Sequence, residues 1–170
     1  MSNSRHGRLI LLCGIPGSGK TTIGKELGGK IKRCVHVQTD VIRAMVASPD
    51  YSASESRFVY EAATTVGEVA LLHGYDVVLD ATFPREEFRR EAVSRLGELS
   101  EAWIVVWVSC DPLLAYRKNS QRSEKVPLVS FLRLWRNFDP PKGALEIDSE
   151  KLRPGEAADK ILGELAKLEG

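Results

Sequence analysis

The stretch Gly14-Ile15-Pro16-Gly17-Ser18-Gly19-Lys20-Thr21 constrains this chain more than any other. It satisfies the spacing GxxxxGK[ST] in full. An apolar run over residues 8–13 precedes it, and a helix-compatible stretch follows from Lys20 to about Gly28-Gly29. Strand, glycine-rich loop and helix in that order make a cradle for phosphate. Backbone N–H groups turn inward, the helix N-terminus adds positive dipole, Lys20 reaches the β- and γ-phosphates, and the Thr21 hydroxyl can ligate Mg²⁺. The expected nucleotide contacts are Gly14, Ile15, Pro16, Gly17, Ser18, Gly19, Lys20, Thr21 and the neighbouring Thr22.

The rest of the sequence alternates in kind. Residues 35–38 read as a second strand, followed by a helix over 40–47 that opens on Asp40 and ends before Pro49. A long helix over 54–73 carries Val59, Ala62, Ala63, Val66, Val69 and Ala70 at helical spacing and stops at Gly74. Residues 76–80 form a third strand, apolar in its middle as when both faces of a parallel sheet are covered. Pro84 starts a helix with the inward stripe Phe88, Ala92, Leu96 and Leu99, which leads into a strand over 103–109. Helical stretches over 112–121 and 127–138 precede a fifth strand at 144–148. A last helix uses Ala158, Ile161, Leu162, Leu165 and Leu168. With right-handed crossovers, this pattern predicts one α/β domain over residues 1–170. Its sheet is doubly wound, five-stranded and parallel, with ligands outside the strands' carboxyl ends. Only residues 1–7 read as a loose terminus.

Composition narrows the function classes. The chain has 170 residues, 24 basic and 23 acidic, and a formal charge of +1, which excludes binding to nucleic acid through net charge alone. Cys13, Cys34 and Cys110 are an odd set without a CxxC pair, so a disulfide framework or zinc site is not expected and a reducing cytoplasm is. The longest apolar run, residues 103–108, is far short of the ~20 residues of a membrane span, and no secretion signal is evident. His6, His36 and His73 lack metal-ligand spacing and receive no role. Cys13 reads as a buried small hydrophobe, and Trp103, Trp107 and Trp135 as packing residues.

Beyond the phosphate loop, three features bear chemistry. Asp80 closes the third strand, where a carboxylate would complete the magnesium shell that Thr21 begins. Asp40 and Arg43 share one side of a helix after the second strand. A carboxylate there accepts a hydroxyl proton, while the arginine holds an anion on the acceptor. Between residues 112 and 138 stand six basic residues, Arg117, Lys118, Arg122, Lys125, Arg133 and Arg136, against one acid, Glu124. Cations on a mobile segment suit phosphoryl transfer, so this segment is the expected lid.

GIPGSGKTT, TDVIR (residues 39–43), LDAT before Arg89-Arg90, RKNSQR with EKVP (residues 117–127) and FDPP before ALEID resemble, in that order, the small P-loop kinases. Within that group the likeness is to polynucleotide 5′-hydroxyl kinases and to the kinase domain of archaeal seryl-tRNA kinases, over roughly residues 8 to 165. The resemblance implies a P-loop kinase fold with a helical lid at about 112–138, ATP as co-substrate and Mg²⁺ as cofactor. It makes Asp40 the activator of the acceptor hydroxyl and Arg43 the acceptor-phosphate contact. Arg122 would touch the transferred phosphate and Lys118 would lie near the adenine. Lys20, Asp40 and Arg122 are thus the catalytic candidates. Phe83 stands where the family commonly has asparagine in D-x-T-N. The seryl-tRNA kinases add a C-terminal tRNA-binding domain that this sequence does not show. The expected acceptor is therefore a polynucleotide or RNA 5′-hydroxyl end, ahead of a small alcohol or nucleotide, a seryl-tRNA, or hydrolysis by a non-kinase ATPase. Residues 79–85 also look like the LDGFPR of adenylate kinases with one residue inserted. A GTP-dependent switch would need an Asn-Lys-x-Asp segment, which the sequence lacks.

Overall fold

A computed structural model describes residues 6–123 and 125–169. Residues 1–5 of the expected loose terminus and Glu124 of the lid lie outside the described residues. Gly7 is packed: its carbonyl accepts from Glu101 N at 2.9 Å, and a Cβ there would fall 1.8 Å from the Tyr75 carbonyl oxygen.

Twelve elements alternate along the chain. They are β1 (Leu9–Cys13), α1 (Lys20–Lys30), β2 (Cys34–Gln38), α2 (Thr39–Arg43), α3 (Ala53–Leu72), β3 (Asp76–Asp80), α4 (Glu86–Gly97), β4 (Trp103–Ser109), α5 (Pro112–Ser120), α6 (Leu128–Arg136), β5 (Leu145–Asp148) and α7 (Pro154–Ala166). The strands form one parallel sheet in the order β2-β3-β1-β4-β5. This is the expected doubly wound arrangement, with β1 central and the phosphate loop leaving its carboxyl end.

Side-chain alternation along β1 divides the core. Leu9, Leu11 and Cys13 face a cluster with Val59, Ala63, Leu71 and Leu96 of α3 and α4, while Ile10 and Leu12 face Ile23, Leu27, Ile161 and Leu165 of α1 and α7. All five residues of β1 are buried, each large aliphatic side chain contributing about 1.5–3 kcal/mol of burial. A third cluster of Ile15, Ala115, Val126 and Phe131 seats α5 and α6 on the phosphate loop. No described helix is long and apolar enough to cross a membrane.

Several element limits differ from the sequence expectation for identifiable reasons. Helix α1 runs through Gly28 and Gly29 to Lys30, because buried Leu27 and Ile31 hold it on the sheet against the ~1 kcal/mol that a helical glycine costs. Helix α2 ends at Arg43 and continues only as turns closed by Met45 N to Ile42 O and Val46 N to Arg43 O. On α3 the inward face comprises Val59, Ala63, Thr64, Gly67, Ala70 and Leu71, whereas Val66 and Val69 are about half exposed. Helix α4 begins at Glu86, two residues after Pro84, and Leu99 packs beyond its end. Leu168 is exposed past the end of α7. Of the tryptophans, Trp107 is partly buried and packs on Phe138, while Trp103 and Trp135 lie at the surface with 45% and 42% exposure.

Candidate active site

The carboxyl ends of β1, β2 and β3 deliver the phosphate loop, Asp40 and Asp80 to one cleft of about 400 Å³. Pro16, Gly17, Gly19, Lys20, Thr21, Thr22, Asp40, Asp80, Lys118 and Arg122 line it, together with Lys25, Gln38 and Thr39. Gly14, Ile15 and Ser18 sit behind the loop as its internal scaffold: Lys20 Nζ donates to Gly14 O at 2.8 Å and Ile15 O at 2.9 Å, with Ser18 Oγ at 3.5 Å. Lys20 is buried, and burial pushes its pKa below the ordinary lysine value, opposed by the charges of Asp80 and Asp40. Gly17 has φ +82°, and a Cβ there would lie 2.0 Å from Ala115 O, so only glycine lets α5 pack this closely.

Asp80 is the hub beneath the loop. Its Oδ2 accepts from Thr21 Oγ1 at 2.8 Å and lies 3.2 Å from His36 Nε2, while its carbonyl accepts from Thr39 Oγ1 at 3.2 Å. Gly24 on α1 makes room for the imidazole, since a Cβ there would meet His36 Nε2 at 2.4 Å. The two residues expected to hold Mg²⁺ therefore touch each other. Two hard oxygen donors at the mouth of a phosphate cleft fit an ion that brings waters and phosphate oxygens as its remaining ligands. Among the described residues no group of three His, Cys, Asp or Glu side chains could hold a metal by itself.

The segment expected to form the lid meets Asp40 directly. Arg122 Nη2 donates to Asp40 Oδ2 at 2.9 Å, joining two candidates 82 residues apart in sequence. Asn119 positions the segment carrying Arg122: its Nδ2 donates to Val126 O at 2.9 Å and its Oδ1 accepts from Val126 N at 3.1 Å. Arg133 of α6 donates to Tyr51 O at 2.7 Å, tying the lid to the loop after α2. A second cavity of about 460 Å³ opens on the far side of Asp40, lined among others by Arg43, Val46, Pro49, Tyr51, Lys125 and Val126. Arg43 faces this cavity as an acceptor contact should, yet its guanidinium is bonded to the Glu55 carboxylate and stacked 4.7 Å from the Tyr51 ring centroid.

Phe83 has φ +43°, a conformation asparagine adopts far more readily than a bulky residue. Its ring is buried and stacks on Tyr60 at 5.1 Å, while its carbonyl accepts from Arg89 Nη1 at 2.7 Å. The family's asparagine position is thus filled by a core ring. Burial pushes the Cys13 thiol up to about 12, in keeping with a packing role.

Sequence reasoning missed His36, Glu55 and Asn119. The Ser52-x-x-Glu55 spacing was a visible helix-start signal, and Ser52 Oγ does cap α3 by accepting from Glu55 N. The roles of His36 and Asn119 depend on partners that only the fold brings near.

Comparison with known proteins places the chain in a family. The chain is 24% identical over 137 residues to L-seryl-tRNA(Sec) kinase of Methanococcus maripaludis, covering 78% of this chain and 53% of that protein. The chain thus spans about half the length of that relative. The adenylyl-sulfate (APS) kinase CysC of Mycobacterium tuberculosis, solved with AMPPNP and APS, superposes with a TM-score of 0.76 at 17% identity over 96% of this chain and 99% of that one. A chain of the Pnkp1/Rnl/Hen1 RNA repair complex superposes with a TM-score of 0.66 at 17% identity over 81% of this chain and 45% of that one. At such identities the solved structures show the fold. The model of the AAA domain family AAA_33 matches residues 9–141, the span from β1 through both lid helices, and the chain belongs to this family of P-loop kinase domains.

Proposed function

We propose that this chain, acting as one domain with a lid over about 112–138, transfers the γ-phosphoryl group of ATP to an alcohol. The favoured acceptor is a nucleic-acid 5′-hydroxyl end. The observation that carries the proposal is the placement of Asp40 on the wall common to the two cavities. A nucleotide in the first cavity presents its γ-phosphate to one side of that carboxylate, and an alcohol in the second approaches from the other. Thr21 and Asp80 would hold Mg²⁺, which when bound would neutralise charge on the phosphate oxygens.

Each residue then has a defined task. The incoming phosphates replace the carbonyl partners of Lys20. Arg122 leaves Asp40 for the γ-phosphate; the pair is a third to a half exposed, so it is worth under about 1 kcal/mol and yields to a multiply charged anion. Its departure frees Asp40 to take the acceptor's hydroxyl proton as the oxygen attacks phosphorus. Lys118, on the cleft wall, faces the nucleotide.

A small-molecule or nucleotide acceptor is the second reading, favoured by the modest size of the second cavity. Three free cysteines among the described residues support a reducing, cytoplasmic setting for either reading. The test is transfer of label from γ-labelled ATP to 5′-hydroxyl RNA and DNA oligonucleotides, tRNA, nucleosides and small alcohols. Labelled oligonucleotide supports the favoured acceptor. Labelling confined to a small alcohol would replace it, and release of free phosphate alone would overturn the kinase reading.

A further inference from the structure

We infer that Lys125, on the lid, is the residue that meets an anionic group on the acceptor, and that Glu55 sets this specificity by neutralising Arg43. The inference rests on the kinase reading and deepens it: the acceptor is an alcohol carrying an anion about one cavity's width from the reacting hydroxyl.

Charge accounting within the second cavity leads there. Its lining includes one carboxylate, Asp40, and two cations, Arg43 and Lys125. Arg43 and Glu55 are both largely buried, with side-chain exposures of 13% and 10%. Glu55 also accepts from Asp50 N at 2.6 Å and Tyr51 N at 3.2 Å, so it is fixed by the loop that forms the cavity wall. Arg43 in turn reaches Ser56 Oγ at 3.4 Å and stacks on Tyr51. Drawing Arg43 toward a ligand would leave the Glu55 charge buried and unpaired, which is strongly unfavourable. Arg43 is therefore a brace of the wall.

Lys125 differs in each respect. It is exposed and makes no ion pair among the described residues. It precedes Val126, which Asn119 grips through both backbone groups, so its backbone is anchored while its ammonium has no ion-pair partner among the described residues. Val126 borders both cavities, placing Lys125 at the acceptor end of the same short segment that carries Arg122 to the nucleotide end. Most of the remaining lining, Ala44, Val46, Ala47, Pro49 and Val126, is apolar and suits the body of the acceptor, with hydroxyls only at Tyr51 and Ser123. A flexible ammonium acts as a point charge and meets a phosphate monoester, a phosphodiester or a carboxylate alike.

The test uses acceptor pairs that differ by one anion: adenosine 3′-phosphate against adenosine, and glycerate against glycerol, each assayed with γ-labelled ATP. The parent protein is expected to prefer the anionic member in kcat/KM by roughly tenfold or more, the size of a charge-assisted contact. Lys125→Met removes that preference through KM, and Lys125→Arg restores it. In the Lys125→Met background, Glu55→Gln releases the Arg43 charge and brings part of the preference back. Equal use of anionic and neutral members by the parent, or a preference that survives Lys125→Met, would overturn the Lys125 assignment while leaving the kinase reading in place. Transfer to no member of either pair and to no 5′-hydroxyl oligonucleotide, with ATP binding intact, would overturn the kinase reading and this inference together.

Discussion

Lys20 shows how a single side chain can be legible in sequence and still be misjudged in its surroundings. The motif identifies it as the phosphate-reaching cation, but a lysine there invites the picture of a solvent-facing group, whereas it is buried and bonded to the loop's own carbonyls. Lys20→Met, which keeps the hydrocarbon stem, is expected to lower phosphoryl transfer at least a hundredfold, about 3 kcal/mol of transition-state stabilisation, with the folded state retained in a thermal melt. Near-parental turnover would exclude this loop as the site. Cys13 offers a second check at this scale. With its pKa raised to about 12 by burial, it stays a protonated thiol at neutral and mildly alkaline pH. Mass spectrometry after treatment of the folded protein with a thiol reagent at pH 8 should find Cys13 unmodified, and rapid labelling would contradict its packing. Arg43 marks the limit of single-residue reading, since its neutralising partner Glu55 belongs to the next helix and nothing at helical spacing announces it.

At the scale of elements, the alternation of strands and helices was legible throughout because hydrophobic period, glycine stops and proline starts agreed. Boundaries were not, where tertiary contacts outweighed them. Helix α1 continues through two glycines because it is clamped on both sides of them, and α3 exposes Val66 and Val69 because the inward face rotates onto Thr64 and Gly67. The lid was visible as a charge run, but its anchorage was not. Removing the Asn119 amide with Asn119→Ala leaves both buried backbone groups of Val126 unpaired, at about 2–4 kcal/mol in total. Denaturant unfolding should show that loss, and kcat should fall more than ATP affinity because Arg122 loses its support. The loop after β3 carries a comparable expectation. Phe83→Ala deletes a buried ring stacked on Tyr60 and keeps the Cβ that strains its left-handed backbone, so it should destabilise the protein by about 3 kcal/mol or more; an unchanged melting temperature would contradict the packing role of the ring.

For the whole molecule, the order β2-β3-β1-β4-β5 explains why residues 20, 40, 80 and 122 meet. Three strand ends deliver the first three, and the lid crosses over them to bring the fourth. The sequence supplied their identities and chemical types, and the fold added their pairing: Lys20 with loop carbonyls, Thr21 with Asp80, Asp40 with Arg122. The acceptor was the least legible part, because a cavity's shape arises from segments distant in sequence. The central claim, that Asp40 is the base standing between ATP and an alcohol, is tested most directly by single-turnover transfer from γ-labelled ATP and Mg²⁺ with Asp40→Asn, using an acceptor the parent protein labels. The rate of transfer should fall about 10²- to 10⁴-fold while ATP affinity stays the same or tightens slightly, since Arg122 no longer has a carboxylate to hold. Transfer by Asp40→Asn within threefold of the parent rate would contradict the account.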